Sequence, residues 1–100
     1  MGKLVYTYKE FIVIEDDYKD GHIIINTKGK YHNHGHVKYL GTCKNLLKMI
    51  DKKIIPYSPY LRGTVLRISL DEKYKQRVLS KVDKDNQKPK FYKVQKGVRK

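Results

Sequence analysis

One hundred residues, 39% of them hydrophobic, suffice for one modest core and exclude a second. Lys and Arg number 23 against 10 Asp and Glu, and the resulting net charge of +13 opposes compaction and favours a polyanionic partner. The single cysteine, Cys43, excludes an internal disulfide and fits a reducing, cytoplasmic setting, while no apolar run reaches membrane-spanning length and Met1-Gly2-Lys3-Leu4 lacks the apolar stretch of a signal peptide.

The charge is unevenly distributed. Residues 1–20 hold three lysines and five acids; residues 21–100 hold 20 bases and five acids. No acid occurs between Gly21 and Ile50, and none after Asp85.

Leu4 to Glu15 alternates β-branched and aromatic residues and reads as a strand or strand pair. Asp16-Asp17-Tyr18-Lys19-Asp20-Gly21 has turn chemistry, and His22–Thr27 follows as the returning strand of a hairpin. Lys28-Gly29-Lys30 turns again. Tyr31–Tyr39 suits a third strand, in which Gly35 weakens the run or marks a bulge.

Thr42 then has the character of an N-cap, and Cys43, Leu46, Leu47 and Ile50 fall on one helical face before Pro56 stops the run. Ser58-Pro59 signals a second helix through about Arg67, with a strand over Thr64–Ser69 as the competing reading. Ser69-Leu70-Asp71-Glu72 has the spacing of a capping box, predicting a third helix to about Asp83 with Leu70, Tyr74, Val78 and Val82 inward. The expected fold is α+β: a small antiparallel sheet of two or three strands, with two or three helices packed on one face. The domain is expected to occupy residues 1–86. Residues 87–100, with six bases and no acid, read as a basic arm with a short strand at Lys90–Val94.

Phosphate backbones are recognised chiefly by Lys and Arg. The candidate nucleic-acid-binding residues are Lys28, Lys30, Lys38, Lys44 and Lys48, then Arg62 and Arg67, and in the arm Lys88, Lys90, Lys93, Lys96 and Arg99. Tyr31, Tyr39, Tyr57, Tyr60 and Tyr92 stand within three residues of a base and suit stacking on unpaired bases, which favours RNA over duplex DNA. With only four Arg among the bases, backbone contact outweighs base reading.

His32, His34 and His36 form the other notable string. Alternate residues of a strand share a face about 7 Å apart, so two histidines can share a metal, whereas three in one flat strand diverge too far for a single ion. The expected reading is solvent-facing polar histidines, ahead of contacts to nucleic acid and of a metal site, and no metal or cofactor is expected. Glu15-Asp16-Asp17-Asp20 misses the calcium-loop spacing and reads as a solvated hairpin tip.

Three functions follow, in order of preference. The first is a non-catalytic nucleic-acid-binding protein, of a kind that AT-rich phage and mobile-element genes encode. The second is a phage inhibitor docking on a host nucleoprotein complex. The third is a small nuclease or RNase toxin using His32, His34 or His36. A helix-turn-helix over Thr42–Ile54 and Ser58–Ile68, with Tyr60, Arg62 and Arg67 facing DNA, is a weaker fourth.

Overall fold

A computed structural model describes residues 2–30 and 32–94, with side chains through residue 83. Four strands form an antiparallel meander in the order β1-β2-β3-β4: β1 Leu4–Tyr8, β2 Phe11–Glu15, β3 His22–Asn26 and β4 His34–Val37. Three helices follow: α1 Leu40–Asp51, α2 Pro59–Ile68 and α3 Glu72–Val94. The architecture is the expected α+β arrangement, with one strand more than expected because Leu4–Glu15 folds back on itself at Lys9-Glu10.

Two devices hold that tight turn. Lys9 takes a left-handed backbone (φ 55°), and its ammonium reaches Asp51 of α1 at 2.5 Å. The Glu10 carbonyl accepts from both the amide and the hydroxyl of Thr27. The irregularity in the sheet lies in β1 between Leu4 and Tyr6, not at Gly35, which pairs in regular register with Ile24.

Register divides the sheet into two faces. Phe11, Val13, Ile24 and Val37 turn toward the helices and pack with Cys43, Leu46, Leu47, Ile50, Val65, Ile68, Tyr74 and Val78. The opposite face carries Leu4, Ile12, Ile14, Ile23, Ile25, His34 and His36; Ile14 is buried, and none of the seven joins the core between sheet and helices. Gly35 explains how α2 approaches β4: a Cβ there would stand 2.7 Å from Thr64 Cγ2. The glycine marks close helix–sheet contact instead of the expected bulge.

Helix starts differ from expectation in instructive ways. α1 begins at Leu40 with Tyr39 as an N-cap in extended conformation, so Thr42 lies in the first turn; its inward face is the expected Cys43, Leu46, Leu47 and Ile50. It ends at Asp51, before Pro56, because Lys53 adopts φ 60° and the amides of Lys53 and Ile54 bond back to Ile50 and Met49.

α2 is helical through Ile68, with Ser58 Oγ accepting from the Leu61 amide and Pro59 opening the first turn. The α3 cap is Asp71, whose Oδ1 accepts from the Tyr74 amide at 3.1 Å. Ser69 instead ends α2 and turns the chain by accepting from the Asp71 amide. That two-residue shift leaves Leu70 44% exposed, outside the core that Tyr74 and Val78 join. α3 runs to Val94, past the expected stop near Asp83, and the backbone at 90–94 is helical where a short strand was expected.

Candidate nucleic-acid interface

The β4 edge of the sheet assembles the site. α2 runs antiparallel to β4, pinned at both ends by long-range hydrogen bonds. At its start, the Tyr60 hydroxyl donates to the His36 carbonyl. At its finish, Asn33 Nδ2 donates to the Arg67 carbonyl at 3.0 Å, and the buried Asn26 Nδ2 donates to the Ile68 carbonyl at 2.9 Å. These bonds satisfy orphan carbonyls at the end of α2 and fix Arg67 beside the β3–β4 turn that carries Lys28 and Lys30.

Three surface cavities meet at His36. One of about 270 Å³ runs between β4 and α2 and is lined by His36, Pro59, Tyr60, Gly63, Thr64 and Arg67. A second of about 250 Å³ lies at the other end of β4 and includes Lys19, His22, His36, Lys38, Tyr60 and Asp16. A third of about 330 Å³ opens onto the outer face, where Ile14, Ile23, Ile25, Tyr18, His34 and His36 line it with Glu15, Asp16 and Asp17.

Arg67 thus lines one side of His36 with Tyr60, and Lys38 and Lys19 line the other in company with Asp16 and Asp20. Aromatic rings accompany these cations: Tyr39 is 64% and Tyr60 62% exposed, and Lys38 Nζ lies 5.5 Å from the Tyr39 ring centre.

Of the histidines, the structure joins two and separates the third. His34 and His36 share the outer face with ring centres 5.3 Å apart at a steep 74°. His32 sits in the turn before β4. His36 Nδ1 stands 3.4 Å from Asp16 Oδ2. The Asp16 carboxyl is held below the usual carboxylate range, first by the Tyr18 amide, against some desolvation, then by the Lys19 amide and His36. The expected solvated hairpin tip thus contains one well-anchored carboxylate, its side chain only 7% exposed. Among the described residues no group of three or more His, Cys, Asp and Glu side chains is placed to hold a metal ion.

The remaining candidates fall elsewhere. Arg62 is buried, with Nε donating to the Pro56 carbonyl at 2.7 Å, so it braces the α1–α2 connection. Lys44 and Lys48 lie on α1, which crosses the sheet toward β1. Lys44 Nζ rests 5.0 Å from the Tyr6 ring centre, at the sheet edge opposite β4. Lys88, Lys90, Tyr92 and Lys93 lie on the last turns of α3, while Tyr31, Lys96 and Arg99 fall outside the described residues. Cys43 is fully buried, and burial pushes its thiol up to about 11, which keeps it protonated and unreactive near neutrality.

Asp16 and Lys19 had no signal in the sequence as neighbours of His36, whereas Tyr60 was expected at a nucleic-acid surface from its place beside Arg62. The sequence matches no family model, no curated protein and no solved structure. No helix among the described residues is long and apolar enough to cross a membrane.

Proposed function

We propose that this is a nucleic-acid-binding protein that lays a single-stranded or looped RNA backbone along the β4 edge. The observation that carries the reading is Arg67 beside the exposed Tyr60 on one side of His36 and Lys38 beside the exposed Tyr39 on the other, with Lys28 and Lys30 in the turn that precedes β4. Charge without aromatics suits duplex and single strand alike; interleaved rings add base stacking worth about 1–3 kcal/mol per base. Asp16 and Asp20 share the cavity of Lys19 and Lys38, whereas the Arg67 cavity holds no carboxylate.

Binding to a labelled single-stranded RNA tests this. Affinity should fall steeply with salt, with a log–log slope that drops by about 0.7 for each phosphate-contacting cation removed. R67A and K38A should each produce that drop. Absence of binding at about 50 mM salt to single-stranded RNA, tRNA, single-stranded DNA and duplex DNA would refute the reading.

A second reading rests on a different observation, the aliphatic outer face, where Leu4 is 54% exposed beside the half-buried Ile12, Ile23 and Ile25. Such a patch favours a protein partner, consistent with docking on a host nucleoprotein complex. Co-purification of one host complex by the wild type, lost on I25D, supports it; equal recovery by I25D refutes it.

A further inference from the structure

Resting on the RNA reading above, we propose that the His36–His34 pair cleaves the bound RNA without a metal, by attack of a 2′-hydroxyl on the adjacent phosphorus. The argument begins with the shape of the surface. His36 stands at the junction of a 330 Å³ cavity lined by Ile14, Ile23 and Ile25 together with Glu15, Asp16 and Asp17, and a 250 Å³ cavity where Lys19 and Lys38 sit with Asp16 and Asp20. An unpaired base fits against the isoleucines beside Tyr18, and its 3′-phosphate then falls toward the lysines. The ribose bridging the two lies against His36.

The chemistry follows from the orientation of the imidazoles. Asp16 faces His36 Nδ1 at 3.4 Å. That partner favours the tautomer with the proton on Nδ1 and leaves Nε2 as the basic nitrogen. Asp16 itself is anchored by the amides of Tyr18 and Lys19, and the strand beneath is held by the Tyr60 bond to the His36 carbonyl. His36 is thus a positioned base, while Asp16 is a positioning residue. His34, on the same face with ring centres 5.3 Å apart, is close enough to serve as the acid on the leaving side.

In the step, His36 Nε2 takes the 2′-hydroxyl proton as the 2′-oxygen bonds to phosphorus. The bond from phosphorus to the 5′-oxygen breaks, and protonated His34 donates to that oxygen. The products are a 2′,3′-cyclic phosphate and a free 5′-hydroxyl, with no oxidant, reductant or water consumed. Lys38 and Lys19 stabilise the extra negative charge that gathers on the phosphoryl oxygens in the transition state.

The test uses the full chain in excess chelator with two probes of one sequence: an end-labelled RNA oligonucleotide and its 2′-O-methyl counterpart, which binds but cannot react. Cleavage of the first to cyclic-phosphate ends, with the second bound and intact, is the expected result. H36Q and H34Q should each slow cleavage by about 100-fold or more while still binding the 2′-O-methyl probe. D16N should lower kcat with KM unchanged, a split that loss of fold does not produce. Binding of both probes without cleavage overturns the proposal and leaves the RNA reading standing. Undiminished cleavage by H36Q overturns it too, whereas failure to bind either probe overturns both.

Discussion

Replacing Gly35 by alanine probes the contact that brings α2 down onto β4 and so creates the candidate site. The new Cβ stands 2.7 Å from Thr64 Cγ2 and 3.4 Å from Ile68 Cγ2. Carbon atoms settle about 3.5–4.0 Å apart, so α2 must retreat by about 1 Å. Overpacking of this kind costs about 1–3 kcal/mol, offset by about 0.5–1 kcal/mol because alanine restricts the unfolded strand more than glycine does. The net loss is about 1–2 kcal/mol, which at about 4–8 °C per kcal/mol in a domain of this size lowers Tm by roughly 5–15 °C.

Thr64→Ser removes the colliding methyl and keeps the Oγ bond to the Tyr60 carbonyl. Alone it costs about 0.8 kcal/mol for the lost methyl. The double variant G35A/T64S should therefore be at least as stable as G35A. Urea denaturation of the four proteins of this cycle measures the coupling. Additivity within about 0.3–0.5 kcal/mol would refute the account, because it would mean that the two groups do not meet. G35A should also weaken RNA binding, since the retreat of α2 draws Tyr60 away from His36 and Arg67 away from Asn33.

Four further outcomes follow from the same contacts. R62A should destabilise the fold by about 1–3 kcal/mol, as the Pro56 carbonyl loses its buried donor, and leave the salt slope of RNA binding unchanged, the reverse of R67A. N26A removes the donor to the Ile68 carbonyl and the acceptor for the Lys28 amide, and should cost about 1–3 kcal/mol in chemical denaturation. The Tyr74 hydroxyl donates to the Ile54 carbonyl at 2.5 Å, and burial pushes its ionisation up to about 12. Because the folded state holds that proton more tightly than the unfolded one, this stabilisation is complete below about pH 10 and is lost as the pH rises through about 12; Y74F should lack that loss. Cys43 should resist thiol reagents in the native protein at neutral pH and react only after denaturant is added, a difference that absorbance of the released reagent records.

Patterns of short range were legible in the chain. Cys43, Leu46, Leu47 and Ile50 announced the inner face of α1, and Ser58-Pro59 announced the start of α2. Errors arose where two local signals competed within three residues. Ser69 and Asp71 both have capping side chains, and sequence favoured Ser69 for its spacing to Glu72. In the fold Ser69 is only 2% exposed at the end of α2, which leaves Asp71 to cap α3. Thr42 lost the cap of α1 to Tyr39 because the chain leaves β4 directly into the helix.

From sequence alone came the sign and size of the charge, the α+β class, the outward sharing of one face by His34 and His36, and the exclusion of a disulfide. Strand alternation and helical repeat are set by backbone geometry over a few neighbouring residues, so a reader of the chain has all the terms. Tertiary structure decided where the cations lie: it buried Arg62, sent Lys44 to the far edge and brought Arg67 beside His36. It also set Asp16 against an imidazole twenty positions away. Such contacts depend on how helices dock across a sheet, and docking is governed by the volume of side chains such as Thr64 against Gly35, to which local periodicity is blind.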